Sequence, residues 1–104
     1  APLRATALDL QGAGAENRLL EGVPAGLAAE ITASLEIPVI GIGAGPHVDG
    51  QILVLQDVLN VTAGKKPRFS KNFMQDQSSI QDANARYVSE VKSGKFPDES
   101  HSFA

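Results

Sequence analysis

Leu3, Ala7, Leu8 and Leu10 draw a partial apolar stripe along the start of the chain, which predicts a helix over residues 1–15. The Gly12–Gly14 pair stops it. Leu19 and Leu20 then open a short extended element ending at Glu21–Gly22, with Asn17 and Arg18 a poor lead-in for a strand. Val23-Pro24 suits a helix entry, because proline's fixed φ fits the first turn. Leu27, Ala28, Ile31 and Leu35 carry the helical period through 25–35. At Ile37 the pattern changes. Residues 37–43 are a near-continuous apolar run of strand length, rich in β-branched residues, as in a strand covered on both faces of a parallel sheet.

Gly43-Ala44-Gly45-Pro46 follows as a loop and Asp49-Gly50 as a turn. Residues 51–55 read equally as a strand or a short buried helix, between which periodicity does not decide. Residues 62–67 are a polar connection. Phe69, Phe73 and Met74 read as an amphipathic cluster on a short helix, assigned to the core. Ser79 as N-cap with Asp82 at N3 predicts a helix start. Ile80, Ala83, Tyr87, Val88 and Val91 supply its apolar face, and Ser93-Gly94 closes it. The last ten residues, 95–104, are polar apart from Phe96 and Phe103 and are expected to form a tail.

Such alternation means βα units and a mostly parallel sheet, an α/β fold in one domain over 1–104. A closed (β/α)8 barrel needs roughly 250 residues. At 104 residues, the chain is expected to supply about three βα units from the end of a barrel, unless the fold is a small open sheet. The missing strands would come from a longer chain or a partner. The chain also opens on Ala1 rather than methionine, which fits processing or a piece of something longer.

Composition changes the picture mainly by exclusion. A net charge of −3 argues against nucleic acid or an anionic membrane as partner. Lys65, Lys66, Arg68 and Lys71 do cluster, which fits either a solvated loop or an anion-binding patch. Without cysteine there is no disulfide or thiolate metal site, in keeping with a cytoplasmic location. The apolar runs are too short to span a bilayer.

In parallel α/β architectures chemistry sits at the C-terminal strand ends. Glu21 closes its predicted strand just before a helix entry. A carboxylate there, partly desolvated, would serve as a general base. It equally fits an exposed loop glutamate or a helix-entry charge favoured by the dipole. Gly43, Ala44 and Gly45 form the second candidate, a loop able to present backbone N–H groups to an anionic substrate, or simply a tight turn. Pro46 breaks the dinucleotide pattern G-x-G-x-x-G, so NAD is not expected. His47 and His101 lack flanking ligands for a zinc site, and Asp49 and Asp57 lack a cation-binding pattern.

Three stretches in order, Leu20-Glu21-Gly22-Val23-Pro24, Ile37 to Gly45 and Asp49-Gly50-Gln51-Ile52-Leu53-Val54, resemble the ketopantoate hydroxymethyltransferase family. Residues 67–73 and 99–103 resemble it too. The resemblance covers essentially the whole chain, and the two central motifs together are highly specific. It implies the C-terminal portion of a (β/α)8 barrel of the phosphoenolpyruvate/pyruvate type. It also implies transfer of a hydroxymethyl group from 5,10-methylenetetrahydrofolate to 3-methyl-2-oxobutanoate, giving 2-dehydropantoate in pantothenate synthesis.

By the same resemblance Glu21 is the base that takes the C3 proton, and a divalent metal, usually Mg²⁺, chelates the 2-oxo acid. The metal's acidic ligands are expected upstream of this segment, so the segment alone is expected to be inactive. Its partners would be the N-terminal part of the same barrel and further copies in a homo-oligomer, commonly a decamer. Asn17-Arg18 depart from the family's apolar strand residues and put that strand's register in question. Gly22 replaces a bulkier residue. The competing readings are a non-catalytic half-barrel for oligomer contact or binding, and a related 2-oxo acid lyase.

Overall fold

A computed structural model describes residues 2–104. In chain order the elements are α1 (Pro2–Gly12), β1 (Arg18–Glu21), α2 (Ala25–Ser34), β2 (Val39–Ile42), β3 (Gly50–Gln51), α3 (Leu55–Val58) and α4 (Ile80–Ser93). A 3-10 turn (Glu99–His101) follows. The strands form one parallel sheet in the order β1-β2-β3. The α/β expectation with a parallel sheet therefore holds.

β1 is intact despite its polar start. It pairs with β2 from Arg18↔Val39 through Glu21↔Ile42, and the Arg18 N–H donates to the Pro38 carbonyl at 2.9 Å. Alternation along β1 turns Leu20 onto α1 and α2 and leaves Leu19, 49% exposed, on the opposite face. Leu20 joins Ala7, Val23, Ala28, Ile31, Val39 and Ala44 in a first core. Burial of a side chain the size of Ile31, which is fully buried, contributes about 1.5–3 kcal/mol. Among the described residues, the Arg18 Nε is a buried group without a hydrogen-bond partner.

β2 and β3 are joined by residues 43–49 with no helix between them, so the expected three successive βα units are reduced. A parallel connection usually needs a dozen or more residues. Here a short loop suffices because β3 is only two residues long, paired at Ile40↔Gly50 and Gly41↔Gln51. Residues 51–55 are neither the strand nor the buried helix expected. β3 stops at Gln51, and Leu55 starts a one-turn helix with its own side chain exposed.

α4 starts and stops where its caps dictate. The Asp82 N–H donates to the Ser79 hydroxyl oxygen, and left-handed Gly94 closes the last turn. Its buried face differs from the expected one. Ala83 is buried with Tyr87 and Val91 packed alongside, whereas Ile80 and Val88 are 55% and 48% exposed. Glu90 takes a place on the buried side because Lys71 and Arg86 bond its two carboxylate oxygens, at 2.5 and 2.7 Å. Burial pulls the Glu90 pKa upward, but the hydrogen bonds and charges of Lys71 and Arg86 outweigh it. The result lies below the ordinary carboxylate value.

Val58, Phe73, Ala83 and Phe96 make a second core, in which the Phe73 and Phe96 rings meet edge-on at 5.2 Å. The short helix expected around Phe69, Phe73 and Met74 is instead a series of turns, and Phe69 leaves the cluster to pack elsewhere. The expected tail over 95–104 is likewise corrected. Phe96 is 2% exposed, and the segment folds back onto the first half of the chain. Two small cores side by side give a radius of gyration of 14.6 Å. A compact domain of this length would have about 13 Å.

Candidate functional site

Glu21 and the loop 43–45 follow adjacent parallel strands, so both lie at the C-terminal edge of the sheet. The Gly22 N–H extends the β1–β2 ladder to the Ile42 carbonyl at 3.0 Å, which fixes the chain immediately after Glu21. Val23 is buried in the first core and Pro24 leads into α2. Glu21 itself is exposed, so the partial desolvation anticipated for its carboxylate is not supplied by the described residues.

The glycines of the second candidate serve close approach, though by protein groups. Gly43 has φ +64°, and a Cβ there would stand 2.5 Å from Cδ2 of Phe69. Gly45 has φ +80°, and its Cβ would stand 2.6 Å from that of Ala25. Ala44 between them is buried in the first core. The loop is therefore filled on one side by an aromatic ring and on the other by the first residue of α2. Gln51 secures it by donating from Nε2 to the Gly45 carbonyl at 2.8 Å.

The last residues complete this end of the molecule. The Ala25 N–H, at the start of α2, donates to the carbonyl of Phe103 at 2.9 Å. The Phe103 ring meets Phe69 edge-on, centroids 6.5 Å apart, and the Arg68 guanidinium lies 5.7 Å from the Phe103 centroid. Asp98 pins the segment by accepting from the Ser100 N–H and hydroxyl. Those two bonds lead in holding the Asp98 carboxyl below its ordinary pKa. The Ser102 hydroxyl donates to the Asp98 carbonyl at 2.7 Å. Ala25, Arg68, Glu99, Ser102, Phe103 and Ala104 line a cavity of about 280 Å³.

The remaining candidates are dispersed. His47 is an exposed loop residue, and His101 lies against Phe96 with ring centroids 4.9 Å apart. Asp49 accepts the Val39 N–H at 2.8 Å, and buried Asp57 accepts from the Thr62 hydroxyl. Among the described residues no three His, Asp or Glu side chains stand close enough to hold a metal ion. The basic cluster is divided, since Lys71 is committed to Glu90 and Arg68 to Phe103 and the Ser100 carbonyl. Phe69, Phe103 and Ala25 were missed as parts of this end of the sheet. The one sequence signal pointing to them was the pair of glycines at 43 and 45, which require close neighbours without naming them.

In parallel α/β sheets ligands bind outside the carboxyl ends of the strands, and Glu21 and the braced glycine loop stand at that edge. The chain belongs to the ketopantoate hydroxymethyltransferase family, whose model matches residues 1–99. The chain is 63% identical over 99 residues to a 3-methyl-2-oxobutanoate hydroxymethyltransferase of Alkalilimnicola ehrlichii, covering 95% of this chain and 36% of that protein. A protein of the same name from Cupriavidus taiwanensis is 55% identical over 104 residues, all of this chain and 38% of its own length. One from Vibrio campbellii is 55% identical over 98 residues, 94% of this chain and 37% of its own. The chain thus spans little more than a third of the length of the relatives it matches. Among the described residues no helix is long and apolar enough to cross a membrane.

Proposed function

We propose that these residues form the C-terminal portion of a (β/α)8 barrel that transfers a hydroxymethyl group from 5,10-methylenetetrahydrofolate to 3-methyl-2-oxobutanoate, giving 2-dehydropantoate. In this reading Glu21 is the general base. Its carboxylate takes the proton from C3 of the 2-oxo acid, and C3 bonds to the one-carbon unit of the folate. The carbon–nitrogen bonds to that unit break, a water molecule supplies the hydroxyl oxygen, and tetrahydrofolate leaves. A C3–H beside a ketone is too weakly acidic for a free carboxylate in water, so the base must be positioned and its surroundings dried. The drying is assigned to segments outside residues 1–104. The described residues offer no ligand set for the Mg²⁺ ion of the family, so its ligands are assigned there as well, and the step assigned here runs through Glu21 alone. Assembly into a homo-oligomer in the cytoplasm belongs to the same proposal.

The observation that carries this reading is the place of Glu21, fixed by strand pairing at the C-terminal edge of the sheet beside the 43–45 loop. The space over Gly43 and Gly45 is taken by Phe69 and Ala25, so that loop is assigned to holding the strand ends rather than to touching substrate. The test is Glu21→Gln in the complete enzyme. Deuterium exchange at C3 of 3-methyl-2-oxobutanoate, followed by NMR without folate, is expected to fall at least 100-fold, the scale of general-base catalysis. Exchange at the wild-type rate would remove Glu21 from this role.

A further inference from the structure

Residues 98–103 connect the second core to the C-terminal edge of the sheet. Their anchor is in the second core, through Phe96 and the His101 ring against it, and their far end reaches the start of α2. Two contacts at that far end converge on the chain flanking the candidate base. The Phe103 carbonyl takes the N–H of Ala25, four residues after Glu21, in the first turn of α2. The Phe103 ring braces Phe69, and Phe69 in turn covers Gly43, directly after the strand residue paired with Glu21. Ala25 also touches Gly45, so the loops after β1 and β2 are gripped together. None of these contacts includes Glu21, so the segment acts on it only through the backbone on either side.

We propose that residues 98–103 are a strap that sets the position of Glu21, with Phe103 as the positioning residue. This rests on the reading of Glu21 as the base. A strap of this kind governs the chemical step more than substrate capture, because a base displaced by about an ångström loses on the order of 100-fold in rate. Phe103→Ala keeps the carbonyl and removes the brace on Phe69. Phe103→Tyr keeps the ring.

The experiment measures C3 deuterium exchange in the complete enzyme, with kcat and KM for the 2-oxo acid, for Phe103→Ala, Phe103→Tyr, Glu21→Gln and the double variant Phe103→Ala/Glu21→Gln. The expected result for Phe103→Ala is a loss of roughly 10- to 100-fold in exchange and kcat with KM within about two-fold, a range bounded by the cost of ångström-scale misplacement. Phe103→Tyr should restore the rate. Adding Phe103→Ala to Glu21→Gln should cost nothing further, since a strap that acts through the base has nothing left to position. An equal loss in both backgrounds, or a change confined to KM, overturns the strap. Exchange unaffected by Glu21→Gln overturns the base assignment instead, which keeps the two failures distinct. If Phe103→Ala does not fold, Phe103→Leu decides, and an unchanged kcat in that variant overturns the proposal.

Discussion

Gly43→Ala tests the packing at the strand ends most directly, because its cost can be worked from two separate sources. The first is the backbone. At φ +64° a residue with a Cβ pays about 1 kcal/mol that glycine does not. The second is the Phe69 side chain, whose Cδ2, Cγ and Cβ would lie 2.5, 2.8 and 3.2 Å from the new methyl. Since Cγ and Cβ are involved, turning the ring about its own axis gives no relief and the side chain must move as a whole. Overpacking of this kind costs about 1–3 kcal/mol. Together the expected destabilisation is about 2–4 kcal/mol, read from the urea midpoint of the complete protein. In a Phe69→Ala background the two closest atoms are gone, and the same Gly43→Ala change should cost only the backbone part, about 1 kcal/mol. An equal cost in both backgrounds would show that the ring does not occupy this space. A cost below about 0.5 kcal/mol in the wild-type background would refute both parts, since it is smaller than the backbone penalty alone.

Two further expectations concern the second core. Phe73→Ala, at a fully buried ring, should destabilise by about 3–5 kcal/mol in urea denaturation, while the conservative Phe73→Leu should cost much less. Glu90 has a pKa lowered by Lys71 and Arg86, so it contributes stability above its ordinary value of 4.5 and loses it as pH falls through the lower folded value. Stability followed from pH 6 down to about pH 2 should therefore fall less steeply in Glu90→Gln than in the wild type, and equal slopes would contradict the assignment.

What could be read in the sequence follows from the range of the forces involved. α4 was legible at both ends because Ser79, Asp82 and Gly94 act within a turn of themselves. β2 was legible because its apolar run reports burial at nearly every position. Glu21 and the 43–45 loop were legible as strand-end features, and the pairing of β1 with β2 brings them to one edge. The departures share a different cause. Ile80 and Val88 fit the helical period but face solvent, while Glu90 is buried by two cations, a compensation that hydrophobic patterning cannot register. The polar look of 95–104 hid a docked segment, because its anchors are two widely spaced phenylalanines and one backbone carbonyl bonded to Ala25. Phe69 was grouped with Phe73 by proximity in sequence, and the two rings serve different ends of the molecule.

The three-strand sheet has one further consequence, for handling the chain in isolation. β2 has a neighbour on each side, whereas β1 pairs only with β2, which leaves its outer margin without a strand partner among the described residues. At the other end, two-residue β3 has its Gln51 carbonyl taken by the Tyr87 hydroxyl. A margin like that of β1 templates the addition of another strand, and in β1 the charges stand only at the two ends, Arg18 and Glu21, with two leucines between them. With Leu19 half exposed beside that margin, a purified 104-residue chain has a route to edge-to-edge association. Light scattering should see it grow with concentration, and it should vanish when a strand from the rest of a longer chain occupies that margin.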